Sequence, residues 1–122
     1  REAAKYMKKR NRGSIFFTGA TASMRGGSGF SAFSSAKFAL RALAQSMARE
    51  LGPQGIHVAH FIIDGAIDTA FIKENFPDTY ALKEKDGILQ PEAIADAYWF
   101  VHTQHRSAWT HELDLRPYME KF

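Results

Sequence analysis

Residues 56–63 read IHVAHFII, eight positions with no Asp, Glu, Lys or Arg and without the apolar–polar alternation of a half-exposed strand. A run of this kind is a strand buried on both faces, and such strands are typically parallel to their neighbours. Parallel strands cannot be joined by a hairpin; each pair needs a crossover of a dozen or more residues, most often a helix. This stretch therefore asks for an α/β fold with cover on both sides of its sheet.

The flanking sequence supplies the parts. Ser14–Thr18 (SIFFT) is a short β-branched and aromatic run that reads as another buried strand. Between the two runs, residues 31–51 repeat Ala36, Leu40, Leu43, Met47 and Leu51 at helical spacing, and Gly52–Pro53 stops them. Pro91 suits the first turn of a further helix with Ile94, Tyr98 and Val101 on its inner side, and residues 109–115 (WTHELDL) read as a third strand. Residues 1–10 look like the tail of a helix, with Ala3, Ala4 and Met7 on one side and Gly13 as its exit. The Gly- and Ser-rich stretch 19–31 reads as loop, and 66–90 as irregular or short-helical. The sum is β-α-β-α-β: three parallel strands with flanking helices and two right-handed crossovers. No repeat or linker interrupts it, so residues 1–122 are read as one domain.

Charge and composition narrow the function classes. Residues 1–12 hold six Lys/Arg against Glu2 alone, whereas the rest of the chain is slightly acidic. Cations in the last turns of a helix are favoured by its dipole, and no basic stripe interleaved with aromatics follows, so no nucleic-acid partner is expected. No apolar stretch approaches the length of a membrane span, so no membrane partner is expected either. The absence of cysteine removes thiol chemistry and is compatible with a reducing, cytoplasmic location. His57 and His60 lie three apart on a strand and so face opposite sides; His102 and His105 have no evident third ligand, and no metal site is expected.

GSIFFTGATAS, followed by AFSSAKFALRALAQSMARELGPQGIHVAHFIIDGAIDT, resembles the C-terminal half of the short-chain dehydrogenase/reductase family. The resemblance spans nearly all of residues 1–115. It implies an incomplete Rossmann-like parallel sheet, with the Gly-rich dinucleotide turn of the family on a strand and helix that precede this stretch. TGATAS at 18–23 imitates that turn without its context. The implied activity is hydride transfer between NAD or NADP and a small carbonyl or alcohol. The family pattern has a strand-end Ser, then Tyr-x-x-x-Lys opening a long helix, then Pro-Gly-x-x-x-Thr after the next strand. The phenol protonates the nascent alkoxide, and a lysine one helical turn away lowers its pKa.

Lys37 falls on the family lysine, Phe33 on the tyrosine and Ala20, thirteen residues before Phe33, on the serine. A phenyl ring has no proton to donate, so two of the three catalytic side chains are replaced, and impaired or atypical chemistry is expected. Thr21 and Ser23 lie close enough in sequence for a hydroxyl to reach the substrate. Asp64 stands where the family has proline, and the resemblance implies cofactor contacts at Gly65, Ala66, Ile67 and Thr69 as well as Lys37. Phe30 is expected beside the substrate. Phe71, Ile72, Phe76 and Tyr80 are read as a mobile cover over it, or as a small satellite core. The alternative to an enzyme is a non-catalytic binding or assembly module. In either case the alanine-rich 31–51 helix is the expected seam of a homo-oligomer.

Overall fold

A computed structural model describes residues 1–121. Its sheet has three parallel strands, β1 (Gly13–Ala20), β2 (Ile56–Ile63) and β3 (Glu112–Leu115), in the spatial order β1-β2-β3. Helix α1 is Glu2–Arg10, α2 is Ser31–Leu51, α3 is Ala70–Asn75, α4 is Pro77–Tyr80 and α5 is Pro91–His102. Every residue of β2 is buried, as its uninterrupted apolar run requires.

The two faces of β2 build two cores. Ile56 and Val58 pack with Leu51, Met47 and Ala48 of α2, with Ala4 and Met7 of α1 and with Ile15 and Phe17 of β1. Ala59, Phe61 and Ile63 pack on the other side with Val101, Ile94 and Tyr98 of α5 and with Phe16, Leu113 and Leu115. The Phe61 and Tyr98 rings stack 3.7 Å apart. Helices α1 and α2 therefore cover one face and α5 the other. Both crossovers step in the same direction across the sheet, one on each face, so they have opposite hands. The expectation of two right-handed crossovers fails for one of them: a long connection through α3, α4 and α5 is less bound by local strand twist than a short one.

Smaller differences concern boundaries. Strand β1 runs on through Gly19 and Ala20, and Thr21–Ser23 forms a 3₁₀ turn, so only the remainder of 19–31 is loop. The third strand begins at Glu112 rather than at Trp109. Asn11, with φ 51°, closes α1, and Gly13 opens β1 instead of ending the helix; a Cβ there would lie 2.6 Å from the Met7 side chain. Ala3 stays exposed, while Ala4 and Met7 pack.

Polar groups tie the layers together. Arg41 of α2 donates two hydrogen bonds of 2.9 Å to Glu112 of β3, and His60 Nδ1 of β2 donates to the same carboxylate at 3.0 Å. On the opposite face His57 stacks on Trp109 at 4.5 Å, and its Nε2 donates to the Thr110 carbonyl at 2.7 Å. The two histidines do face opposite sides of the sheet.

These groups make the fold acid-sensitive. Burial pushes the Glu112 carboxyl up, but the hydrogen bonds and charges of Arg41 and His60 outweigh it and hold its pKa below the ordinary 4.5. Burial, partly opposed by the bond to Thr110, lowers His57 from its ordinary 6.5. Both groups take up protons less readily folded than unfolded, so both make stability rise with pH. The contribution of His57 is complete above pH 6.5 and falls away below it. That of Glu112 is complete above pH 4.5 and falls away as the carboxylate is protonated. Thermal unfolding followed by circular dichroism should show a midpoint that drops in two stages on acidification. The His57→Gln variant should lack the first stage; a wild-type midpoint flat between about pH 7 and pH 5 would contradict the assignment.

Candidate active site

A pocket of about 350 Å³ opens where β1 and β2 end. Ligands of open parallel sheets bind beyond the carboxyl ends of the strands, so its position is the one the topology favours. Its lining brings together Ala20, Thr21, Phe30 and Phe33 with Gly65, all singled out by sequence. It adds Arg25 and Ser34, which sequence reasoning passed over. Arg25 was legible as a lone cation in the Gly-rich loop, and Ser34 as the neighbour of Phe33 on the helix.

Phe33 lies in the first turn of α2 and is 48% exposed, so it is a wall of the pocket rather than a core residue. Lys37, one turn on, holds its Nζ 5.7 Å from the centre of that ring and donates at 3.3 Å to the Thr18 carbonyl of β1. The lysine is thus held by the ring face and the strand end together. Thr18 in turn shares a 2.6 Å hydrogen bond between its hydroxyl and that of Tyr98.

The polar groups around the pocket differ in availability. Thr21 donates its hydroxyl hydrogen to Asp64, which is only 5% exposed. The Asp64 carboxylate also has Arg116 at 3.6 Å and Arg25 at 3.9 Å, and its backbone N–H donates to Leu115. The residue in the proline position is therefore a buried anion that fixes Thr21 and draws Arg25 to the pocket edge. Ser23 is fully buried and accepts a hydrogen bond from the Ala20 N–H at 3.1 Å, so it shapes the turn and does not reach the pocket. Ser34 is 7% exposed, and its hydroxyl has no hydrogen-bond partner among the described residues.

The loop after β2 is pinned by a parallel bridge between Ile67 and Leu89. The bonds of that bridge use the Ala66 carbonyl and the Asp68 N–H, each at 2.8 Å. In a parallel bridge the central residue's own N–H and C=O point the other way, so those of Ile67 face away from Leu89. Ile67 and Thr69 line a separate apolar groove with Phe16, Ile94, Tyr98 and Trp99 on the α5 face. Thr69 also caps α3, accepting from the Ile72 N–H at 3.3 Å. Phe71 and Phe76 are exposed on the segment that follows, their rings 6.1 Å apart, and neither lines the smaller pocket.

Residues 1–79 match the family described as short chain dehydrogenase. A 3-dehydrosphinganine reductase of Danio rerio is 35% identical over 92 residues, covering 73% of this chain and 28% of that protein. A 3-ketodihydrosphingosine reductase of Bos taurus is 33% identical over the same length. Among solved structures, a short-chain dehydrogenase from Rhodopseudomonas palustris superposes with a TM-score of 0.72 at 51% identity, covering 96% of this chain and 44% of its own. The chain thus spans less than half the length of these relatives.

Packing against the pocket floor is tight at Gly19 of β1. A Cβ there would lie 2.2 Å from His60 Nε2 and 2.5 Å from Ser23 Oγ. Gly19→Ala should therefore cost about 1–3 kcal/mol in chemical denaturation, the range of overpacked cores. Gly26→Ala, where a Cβ meets nothing within 4 Å, should be near neutral; equal effects of the two would contradict this geometry.

Proposed function

Because this chain belongs to the short-chain dehydrogenase/reductase family, we propose that the whole protein is a nicotinamide-dependent oxidoreductase acting on a small carbonyl or alcohol. The observation that carries this reading is the gathering of Ala20, Thr21, Phe33 and Gly65 around one pocket at the strand ends, with Lys37 one turn behind. The relatives named above are by name a 3-dehydrosphinganine reductase and a 3-ketodihydrosphingosine reductase, and the pocket here is mainly apolar, which suits a substrate with a hydrocarbon part.

The residues present fit the nicotinamide end of NAD or NADP. The outward-facing backbone of Ile67 offers one donor and one acceptor, the pair that a carboxamide needs, beside Ala66. Thr69 adds a hydroxyl, and Gly65, with φ +150° and a would-be Cβ only 2.9 Å from the Pro117 ring, keeps the turn close-packed. Lys37 would supply the ammonium for a ribose hydroxyl. The cofactor, when bound, supplies or accepts the hydride.

The chain's own groups must then handle the oxygen. Phe33 has no proton to give and serves as an apolar wall beneath the Lys37 ammonium. Thr21 is committed to Asp64, so its oxygen lone pairs rather than its hydrogen face other partners. The hydroxyl of Ser34, beside the pocket but closed to solvent, has no partner among the described residues, and a buried hydroxyl without a partner costs about 1–3 kcal/mol until something engages it. Rotation of the Ser34 side chain toward the pocket would let a substrate oxygen do so, with the final proton coming from water. Turnover without a phenol is then slow, and the lysine acts through charge alone.

A role in self-association is compatible with this chemistry: Phe38 and Leu43 remain exposed on α2, which would be the seam between copies. In the full-length protein, Phe33→Tyr should raise kcat for carbonyl reduction by about 10²–10⁴-fold, the reach of a positioned general acid. Ser34→Ala should lower it by about tenfold or more, as loss of one hydrogen bond to a developing charge does. If steady-state assays show neither change, the pocket is not where the oxygen is handled.

A further inference from the structure

At the opposite, amino-terminal ends of β1 and β2 lies a cavity of about 660 Å³ that the proposed reaction does not use. Strands of eight residues separate the two sites by roughly 26 Å at about 3.3 Å per residue. Its charged and titratable lining consists of Arg10, Arg12 and Arg106 with His57, His102 and His105, and contains no Asp or Glu. Three elements distant in sequence contribute them: the end of α1, the start of the sheet and the turn after α5.

The state of these arginines is unlike that of the arginines at the other end of the sheet. Arg25, Arg41 and Arg116 each lie against a carboxylate. Among the described residues, Arg10, Arg12 and Arg106 have no ion-pair or hydrogen-bond partner for their guanidinium groups. Arg106 is also held near the cavity floor, with Nη2 3.2 Å from where a Cβ of Gly55 would stand. His102 is oriented by a 2.8 Å hydrogen bond to Ser14. His105 Nδ1 accepts from the Ser107 N–H at 3.2 Å, so its Nε2 carries the proton and is a donor even when neutral. Stacked His57 and Trp109 supply a flat wall.

Three exposed arginines line one cavity whose lining holds no carboxylate, and their planar donors match the oxygens of a phosphoryl group. We propose that this cavity is a second, non-catalytic binding site for a phosphate-bearing small molecule. The flat wall and the volume, within the usual range for organic ligands, favour an organophosphate over the bare ion. The arrangement of the site owes nothing to the cofactor or to the pocket at the strand ends.

Calorimetric titration of the full-length protein, saturated with NADH so that the dinucleotide site is closed to the probe, tests the proposal. The probes are ribose 5-phosphate, inorganic phosphate and sulfate. Ribose 5-phosphate is expected to bind in the micromolar to low millimolar range, and the double variant Arg10→Gln/Arg106→Gln should weaken it at least tenfold. Basal ketone reduction and NADH binding should stay unchanged, since neither arginine touches that machinery. Arg106→Lys should fall between, because it keeps the charge and loses the fork. Inorganic phosphate binding as tightly as the sugar phosphate would support the phosphoryl site and place recognition in the anion alone. No heat with either phosphate, or binding matched by sulfate and insensitive to the double variant, would overturn it.

Discussion

Burial of β2 on both faces is the constraint on which the rest depends. A strand with eight buried residues needs apolar cover above and below, and the chain provides it from two sources. Helices α1 and α2 seal Ile56 and Val58, and α5 seals Ala59, Phe61 and Ile63. Each fully buried side chain of this size contributes about 1.5–3 kcal/mol, so the strand is the main apolar anchor of the sheet. Its parallel pairing with β1 and β3 then brings all the carboxyl ends to one side. The pocket is a consequence of that alignment, because the turns leaving β1 and β2 must meet there.

Electrostatics finishes what burial begins, and does so differently at the two ends. Near the pocket every interior carboxylate has cationic or hydroxyl partners: Asp64 holds Thr21 and has two arginines close by, and Glu112 bridges Arg41 and His60. The Glu112 contacts join α2, β2 and β3, and the Asp64 contacts join the turns that leave β1 and β2. At the far end the arginines gather without such partners among the described residues. The asymmetry separates a structural use of charge from one that leaves charge available to a ligand.

Much of this was legible in residue order. The unbroken apolar run of β2, the helical period from Ala36 to Leu51 and the Gly52–Pro53 stop gave strand and helix to the residue, although Ala36 and Leu43 of that period are exposed and Ser34 and Ala44 are buried in their stead. The ends of β1 and β3 were less clear, since Gly19 and Ala20 carry turn-like residue types but are kept extended by pairing with Ile62 and Ile63. Handedness was not legible, because it depends on which face α5 covers, and that is decided by the alternation within β2 only once both helices compete for it. At the site, spacing found Phe33, Lys37, Thr21 and Gly65. It could not find the commitment of Thr21 to Asp64, the free hydroxyl of Ser34 or the approach of Arg25, all of which join residues that only the fold makes neighbours. The role of Phe71 likewise depends on a segment whose aromatic rings stand exposed.

The central claim is that a pocket with phenylalanine in the tyrosine position still serves oxidoreduction. Its most direct test follows the transferred atom. The full-length protein would be incubated with NADH or NADPH deuterated at the transferring C4 position and with a panel of ketones that includes long-chain ones. Mass spectrometry of the alcohols would then locate the label. The account predicts deuterium at the carbinol carbon of at least one product, formed slowly and lost when the enzyme is omitted. Tight nucleotide binding with no labelled alcohol from any ketone would contradict it and leave the protein a binder without a reaction.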